Sequence, residues 1–154
     1  MNHIDRSGRE IVPGDGSTAA LLATIAANPT IGAFVDQLAM AKDFTVYAQP
    51  SPPSSTMTEA GGGRFEPFAG DPGYSAAWYT LEDPNAGPSG SQCKQDWPLD
   101  VLAHELGHAY ALYDYNNGGA VSALQNYGSL DAYSNAMAVY FQNAVTSGPV
   151  RLGH

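Results

Sequence analysis

The first third of the chain passes from helical spacing of apolar residues to an alternating pattern. The apolar pair Ile11-Val12 suits a strand. In residues 17–26, two hydroxyl residues that can cap a helix precede an apolar run, which Asn28-Pro29 ends. Apolar residues then recur at helical spacing over 30–38, whereas β-branched and aromatic residues alternate over 42–48. This pattern predicts two scaffold helices followed by a strand.

The middle of the chain is rich in loop-forming residues and carries two shorter strand patterns. Proline, serine and threonine fill residues 49–63, which close on three glycines and predict a loop rather than a boundary between domains. Residues 64–68 and 76–81 predict strands. The second of them is the candidate edge of a substrate cleft, although an interior place in the sheet suits its composition equally well.

Two longer helices are predicted in the second half of the chain. The first covers about 98–113, because proline suits a first helical turn and the Asn-Asn-Gly-Gly segment at 116–119 is a strong stop. The second covers about 130–144 and carries an apolar stripe. The expected fold class is therefore α+β, a compact single domain over 1–154 with a small sheet, a central helix and a C-terminal helix.

Composition and charge narrow the classes of partner. The 154 residues are 44% hydrophobic, as in globular chains. Six Lys and Arg against fifteen Asp and Glu give a net charge of −9, so no basic patch for nucleic acid or an anionic membrane can be assembled. The single Cys93 excludes an intrachain disulfide. We expect no transmembrane segment and no signal peptide, so an exported protein would use a signal-peptide-independent route.

The clearest chemistry lies in the helix predicted over 98–113. His104, Glu105 and His108 form an H-E-x-x-H pattern, which stacks both histidines on one helical face. Two neutral imidazoles, one carboxylate and an open position suit zinc, so one Zn²⁺ per chain is the expected cofactor. Apolar flanks predict a buried helix, whose polar side chains need partners. Gly107 costs about 1 kcal/mol relative to alanine in mid-helix, and we expect another segment to approach closely there.

A third protein ligand is expected beside the two histidines, since Glu105 is assigned to proton transfer. Asp131, at the start of the last helix, is the first choice. Asp114 is the alternative, because it lies six residues beyond the second histidine, where an extended motif places its third ligand. That extended motif needs a glycine where this chain has Ala111, which favours Asp131. His154 is a further option.

These residues predict a zinc-dependent hydrolase of the zincin type, most simply a peptidase. Zinc lowers the pKa of its bound water to about 7 and polarises the scissile carbonyl. Glu105 would act as the general base on that water and pass the proton to the leaving amine. A tyrosine or histidine would stabilise the oxyanion, and the candidates are Tyr133, Tyr140 and His154, with Tyr127 also available.

Two segments resemble one group of zinc peptidases. The segment 97–109 resembles the zinc helix of effector metallopeptidases, namely the NleD-like type III effectors and the toxin domains at the ends of Rhs-type polymorphic toxins. The segments 138–143 and 148–154 resemble the closing pattern of that group, an A-V-x-x-E-N helix followed by G-L-P-x-R and an aromatic residue or histidine. Gln142 stands where the group has glutamate, and the acidic cluster before its last helix is reduced to Asp131.

The resemblance implies a single-domain zincin that is delivered into a target cell and cleaves a specific protein there. Its partners would be a protein or peptide substrate and also a larger parent chain or a cognate immunity protein. Two other functions fit the motif: an interaction module that zinc stabilises without catalysis, and a zinc amidase acting on a non-protein substrate. Glu105 favours an enzyme, because a purely structural zinc site has no use for it.

Overall fold

The computed structural model describes residues 11–14, 16–41, 44–50, 63–67, 74–79, 97–146 and 153. Its strands are β1 (Ile11–Pro13), β2 (Thr45–Pro50), β3 (Gly63–Pro67) and β4 (Tyr74–Tyr79). Its helices are α1 (Gly16–Ala26), α2 (Gly32–Ala39), α3 (Trp97–Asp114), α4 (Ala120–Tyr127) and α5 (Leu130–Val145). Cys93 and His154, on which predictions rest, lie outside the described residues. The described part is mostly helical with a small sheet, which is compatible with the α+β class.

The four strands form one mixed sheet in the order β1-β2-β4-β3. β2 runs parallel to β1 and to β4, whereas β3 is antiparallel to β4. The prediction that the strand at 76–81 forms the edge is therefore wrong, because β4 has a hydrogen-bonded neighbour on each side. The compositions agree: β4 contains no charged residue or proline, whereas β3 contains Arg64, Glu66 and Pro67, which are typical of an edge strand. Among the described strands, β1 and β3 lie at the two edges of the sheet, and β3 packs against α3.

α3 is the central helix of the described residues. It packs against α1 and α2, against β3 and β4, and along α5. Leu102, Ala103, Leu106 and Ala109 are fully buried, which confirms that this helix is enclosed by apolar contacts. None of the described helices combines the length and the apolarity needed to cross a membrane.

Aromatic side chains join α3 to its helical neighbours. The ring of Phe34 on α2 lies 5.0 Å from that of Tyr110 on α3 and 6.1 Å from that of Phe141 on α5, measured between centroids. The rings of Tyr110 and Phe141 are 5.9 Å apart, which closes the triangle. Such pairs add about 0.5–1.5 kcal/mol to the burial of the rings themselves. This cluster therefore helps to fix the position of α5 relative to α3.

α5 packs antiparallel to α3 at very short range. Hydrogen bonds join His104 to Gln142 and Asp114 to Tyr133, so the partners follow one another in opposite order along the two helices. Gly107 makes this packing possible: a Cβ there would lie 2.5 Å from the backbone oxygen of Met137 and 2.6 Å from a backbone carbon of the next residue. The close approach expected from this glycine is confirmed.

α3 ends at Asp114, one residue beyond the predicted end, and Ala111 lies within the continuous helix. The following turn, Tyr115–Gly119, departs from helical angles at Asn117 and Gly118. Gly118 has φ +107°, a left-handed conformation that favours glycine. α4 then begins, although the sequence pattern does not predict it as a helix. Its Val121 and Leu124 side chains are exposed, and of its residues Ala123 is the one that is buried.

α5 begins at Leu130, within the predicted bounds, and Ser129 is its N-cap. The Ser129 side-chain oxygen accepts a hydrogen bond of 3.1 Å from the backbone N–H of Ala132. This is an N-cap contact, which satisfies one of the four amide groups that a helix start leaves without a partner. Asp131 therefore lies in the first turn of α5 rather than at its cap.

Candidate metal site

His104 and His108 lie one helical turn apart on α3 and face the same side. Their ring centroids are 5.0 Å apart with the ring planes at 77°. The ligand atoms of His104, Glu105 and His108 all lie within 4.8 Å of one another. Two nitrogens on one zinc ion lie at most about 4 Å apart, because each Zn–N bond is about 2.0 Å. The three side chains therefore lie near the spacing at which one ion could bind them, and the donor set fits a transition metal.

Both imidazoles are held from α5. His104 Nδ1 lies 2.8 Å from Gln142 Oε1, and His108 Nδ1 lies 2.7 Å from Ser134 Oγ. An amide oxygen only accepts hydrogen bonds, so Nδ1 of His104 is the donor in the first contact. A neutral imidazole that donates through Nδ1 carries its lone pair on Nε2, which is then the metal-binding nitrogen. The two histidines are half-buried.

Glu105 is buried, with 5% of its surface exposed. Burial raises the pKa of its carboxyl from 4.5 to about 8, because a charged group is poorly solvated there. A cation beside the carboxyl would favour its charged form and so oppose this shift. The distances alone allow Glu105 either to bind such an ion or to stand next to it.

The two aspartates predicted as third ligand occupy different places. Asp114, at the end of α3, accepts a hydrogen bond of 2.7 Å from the Tyr133 hydroxyl. Asp131 is exposed in the first turn of α5. Within the part of the chain that the structure describes, the group of metal-binding side chains contains the three H-E-x-x-H residues and neither aspartate. The identity of the third ligand therefore stays a prediction.

The tyrosines considered for the oxyanion have different surroundings. Tyr133 is buried, and desolvation followed by the hydrogen bond to Asp114 raises the pKa of its hydroxyl. The Tyr127 ring lies 5.2 Å from the Tyr133 ring. Tyr140 is 45% exposed, and its ring meets the edge of Phe34 on α2 at 6.4 Å. Tyr133 is thus hydrogen-bonded to Asp114. A catalytic role for any of these tyrosines stays a prediction.

Ser134 and Gln142 are the site residues that the sequence analysis does not identify. In the sequence, Gln142 is noticed only because the effector and toxin metallopeptidases that the chain resembles have glutamate at this position. A signal does exist, because residues 134, 138 and 142 are spaced by four and share one face of a helix. Two polar residues on a face that also carries a buried alanine need polar partners on the neighbouring helix.

Comparison of the chain with protein-family models, with curated proteins and with solved structures finds no match. The resemblance to effector and toxin metallopeptidases and the zincin fold are therefore predictions. What the structure establishes is a His-Glu-x-x-His group on a central helix, with side chains close enough together to hold one metal ion.

Proposed function

We propose that this chain is a zinc-dependent hydrolase that cleaves peptide bonds, a metallopeptidase of the zincin type. The observation that carries the proposal is the geometry of α3, which presents two imidazoles and a buried carboxyl within 4.8 Å of one another. A site that only held a structural metal would be closed by four ligands and would not need Glu105.

Each residue of the motif has its own role in this proposal. His104 and His108 bind the metal, which when present would polarise the scissile carbonyl and lower the pKa of a water molecule. Glu105 takes the proton of the attacking water and delivers it to the leaving amine. A cation beside Glu105 would favour the charged form of this buried carboxyl, which is the form that can accept the proton.

A peptide is the favoured substrate because an edge strand lies beside the metal-binding helix. Of the two edge strands among those described, β1 and β3, it is β3 that packs against α3. An extended peptide can add to such an edge through main-chain hydrogen bonds. The role first assigned to the strand at 76–81 thus passes to β3. The net charge of −9 would suit a neutral or basic substrate segment.

The biological setting of the proposal rests on the sequence resemblance. We propose a bacterial effector or toxin domain that is delivered into a target cell. Its specific substrate would then be a protein of that cell. A parent chain or an immunity protein would be its other partner.

Removal of the metal is the direct test of this function. The zinc-loaded chain is expected to cleave a randomised set of quenched fluorescent peptides or an unfolded protein. A chelator such as 1,10-phenanthroline should abolish the cleavage, and added zinc should restore it. The isomer 1,7-phenanthroline, which cannot chelate, is the matched control. Cleavage that survives the chelator, or a zinc-loaded chain that cleaves neither substrate, would contradict the proposal.

A further inference from the structure

We infer that α5 positions the metal-binding imidazoles, with Gln142 setting the tautomer of His104 and the Ser134 hydroxyl holding the ring of His108. This inference rests on the metal-binding part of the proposed function and adds two residues to it. Neither residue touches the reacting atoms, so both are positioning residues. The observations are the two contacts to Nδ1, of 2.8 Å and 2.7 Å.

The two partners on α5 flank the pair of histidines on α3. Ser134 and Gln142 are eight residues apart, which is about 12 Å along a helix, whereas the histidines are four residues and about 6 Å apart. Because the helices are antiparallel, Gln142 lies near the His104 end of the pair and Ser134 lies near the His108 end. The close approach at Gly107, between the two histidines in sequence, brings α5 within reach of both rings.

The chemistry of the partners determines which nitrogen is left for a metal. The amide oxygen of Gln142 and the hydroxyl oxygen of Ser134 can both accept from Nδ1–H, which leaves the Nε2 lone pair for the ion. Gln142 is 7% exposed, so water competes little for its contact with His104. Its side chain is neutral, whereas a carboxylate at the same place would raise the basicity of the imidazole.

The inference is tested by metal affinity in a set of four variants. Gln142→Leu and Ser134→Ala remove one acceptor each, and loss of such partners costs about 10–100-fold in metal affinity. Gln142→Glu keeps an acceptor at the same position and is expected to bind at least as tightly as the natural chain. Gln125→Leu on the exposed surface of α4 is the matched control and should leave affinity unchanged. Zinc and cobalt titrations against a chromophoric chelator measure these differences.

A second readout does not need the metal at all. In the metal-free chain at pH 8, imidazole ¹H–¹⁵N correlation spectra should show His104 as the Nδ1–H tautomer. Gln142→Leu should shift His104 toward the other tautomer, whereas Ser134→Ala should leave the tautomer of His104 unchanged and perturb the ring signals of His108.

The two readouts separate the inference from the proposed function. A natural chain that binds no metal but shows His104 as the Nδ1–H tautomer would refute the function and retain the positioning role of Gln142. A natural chain that binds metal, with Gln142→Leu and Ser134→Ala equal to it in affinity and in tautomer, would overturn the inference alone.

Discussion

Replacing Glu105 with glutamine is expected to reduce hydrolysis by at least about 100-fold while the metal stays bound. General acid–base catalysis contributes about 10²–10⁴-fold to such reactions, and an amide cannot accept the proton. Glutamine has nearly the shape of glutamate, so the packing around this buried position is kept. The variant should also be no less stable without metal at neutral pH, because burial penalises a charged carboxylate and not an amide. Initial rates and metal content on the same preparation measure both effects.

Asp36→Asn is the matched control, since it makes the same chemical change at an exposed carboxylate on α2. Its rate and its metal content should equal those of the natural chain. Retained hydrolysis in Glu105→Gln would refute the role of general base. Loss of the metal in that variant would instead make Glu105 a ligand, which the distances allow and the proposed mechanism does not.

Gly107→Ala is expected to destabilise the fold by about 2 kcal/mol and to weaken metal binding as well. The added Cβ would lie 2.5 Å from the Met137 backbone oxygen and 2.8 Å from the Ala138 backbone nitrogen. These are backbone atoms, so α5 as a whole must move away. The gain of about 1 kcal/mol that alanine brings in mid-helix offsets part of the overpacking. Metal affinity should fall because Ser134 and Gln142 move with α5.

Urea denaturation and chelator competition measure the two consequences. Gly16→Ala is the matched control, since nothing lies within 4 Å of a Cβ at that position in the first turn of α1. It should change neither quantity appreciably. If Gly107→Ala behaves like Gly16→Ala in both measurements, α5 does not pack on α3 as described.

The parts of the fold that the sequence predicts are those in which pattern and burial coincide. The helix around His104 is recognised because its apolar residues surround the motif, and the stop at 116–119 supplies a glycine with positive φ. α4 is not predicted because its Val121 and Leu124 side chains are exposed. Its apolar residues therefore do not follow the periodic pattern that a buried helix face would produce. The place of β4 in the sheet depends on pairing with distant strands, which composition alone indicates only weakly.

In the candidate site, too, the sequence predicts the residues that lie close together along the chain and misses those that another element contributes. The spacing of His104 and His108 is local, so one helical turn is enough to predict that they share a face. Ser134 and Gln142 reach the site only through the packing of α5 on α3. This packing depends on Gly107 and on contacts between residues 26 and 38 positions apart in sequence. The third ligand has the same difficulty, because any candidate must come from another element.

Metal content of the purified chain is the most direct test of the central claim, that α3 presents a metal-binding site. Elemental analysis should find one metal ion per chain, with zinc expected, after removal of loosely bound ions. The double variant His104→Ala, His108→Ala should contain none while keeping the helical content of the natural chain. An equal metal content in both, or none in either after incubation with zinc, would contradict the site on α3 and with it the proposed enzyme.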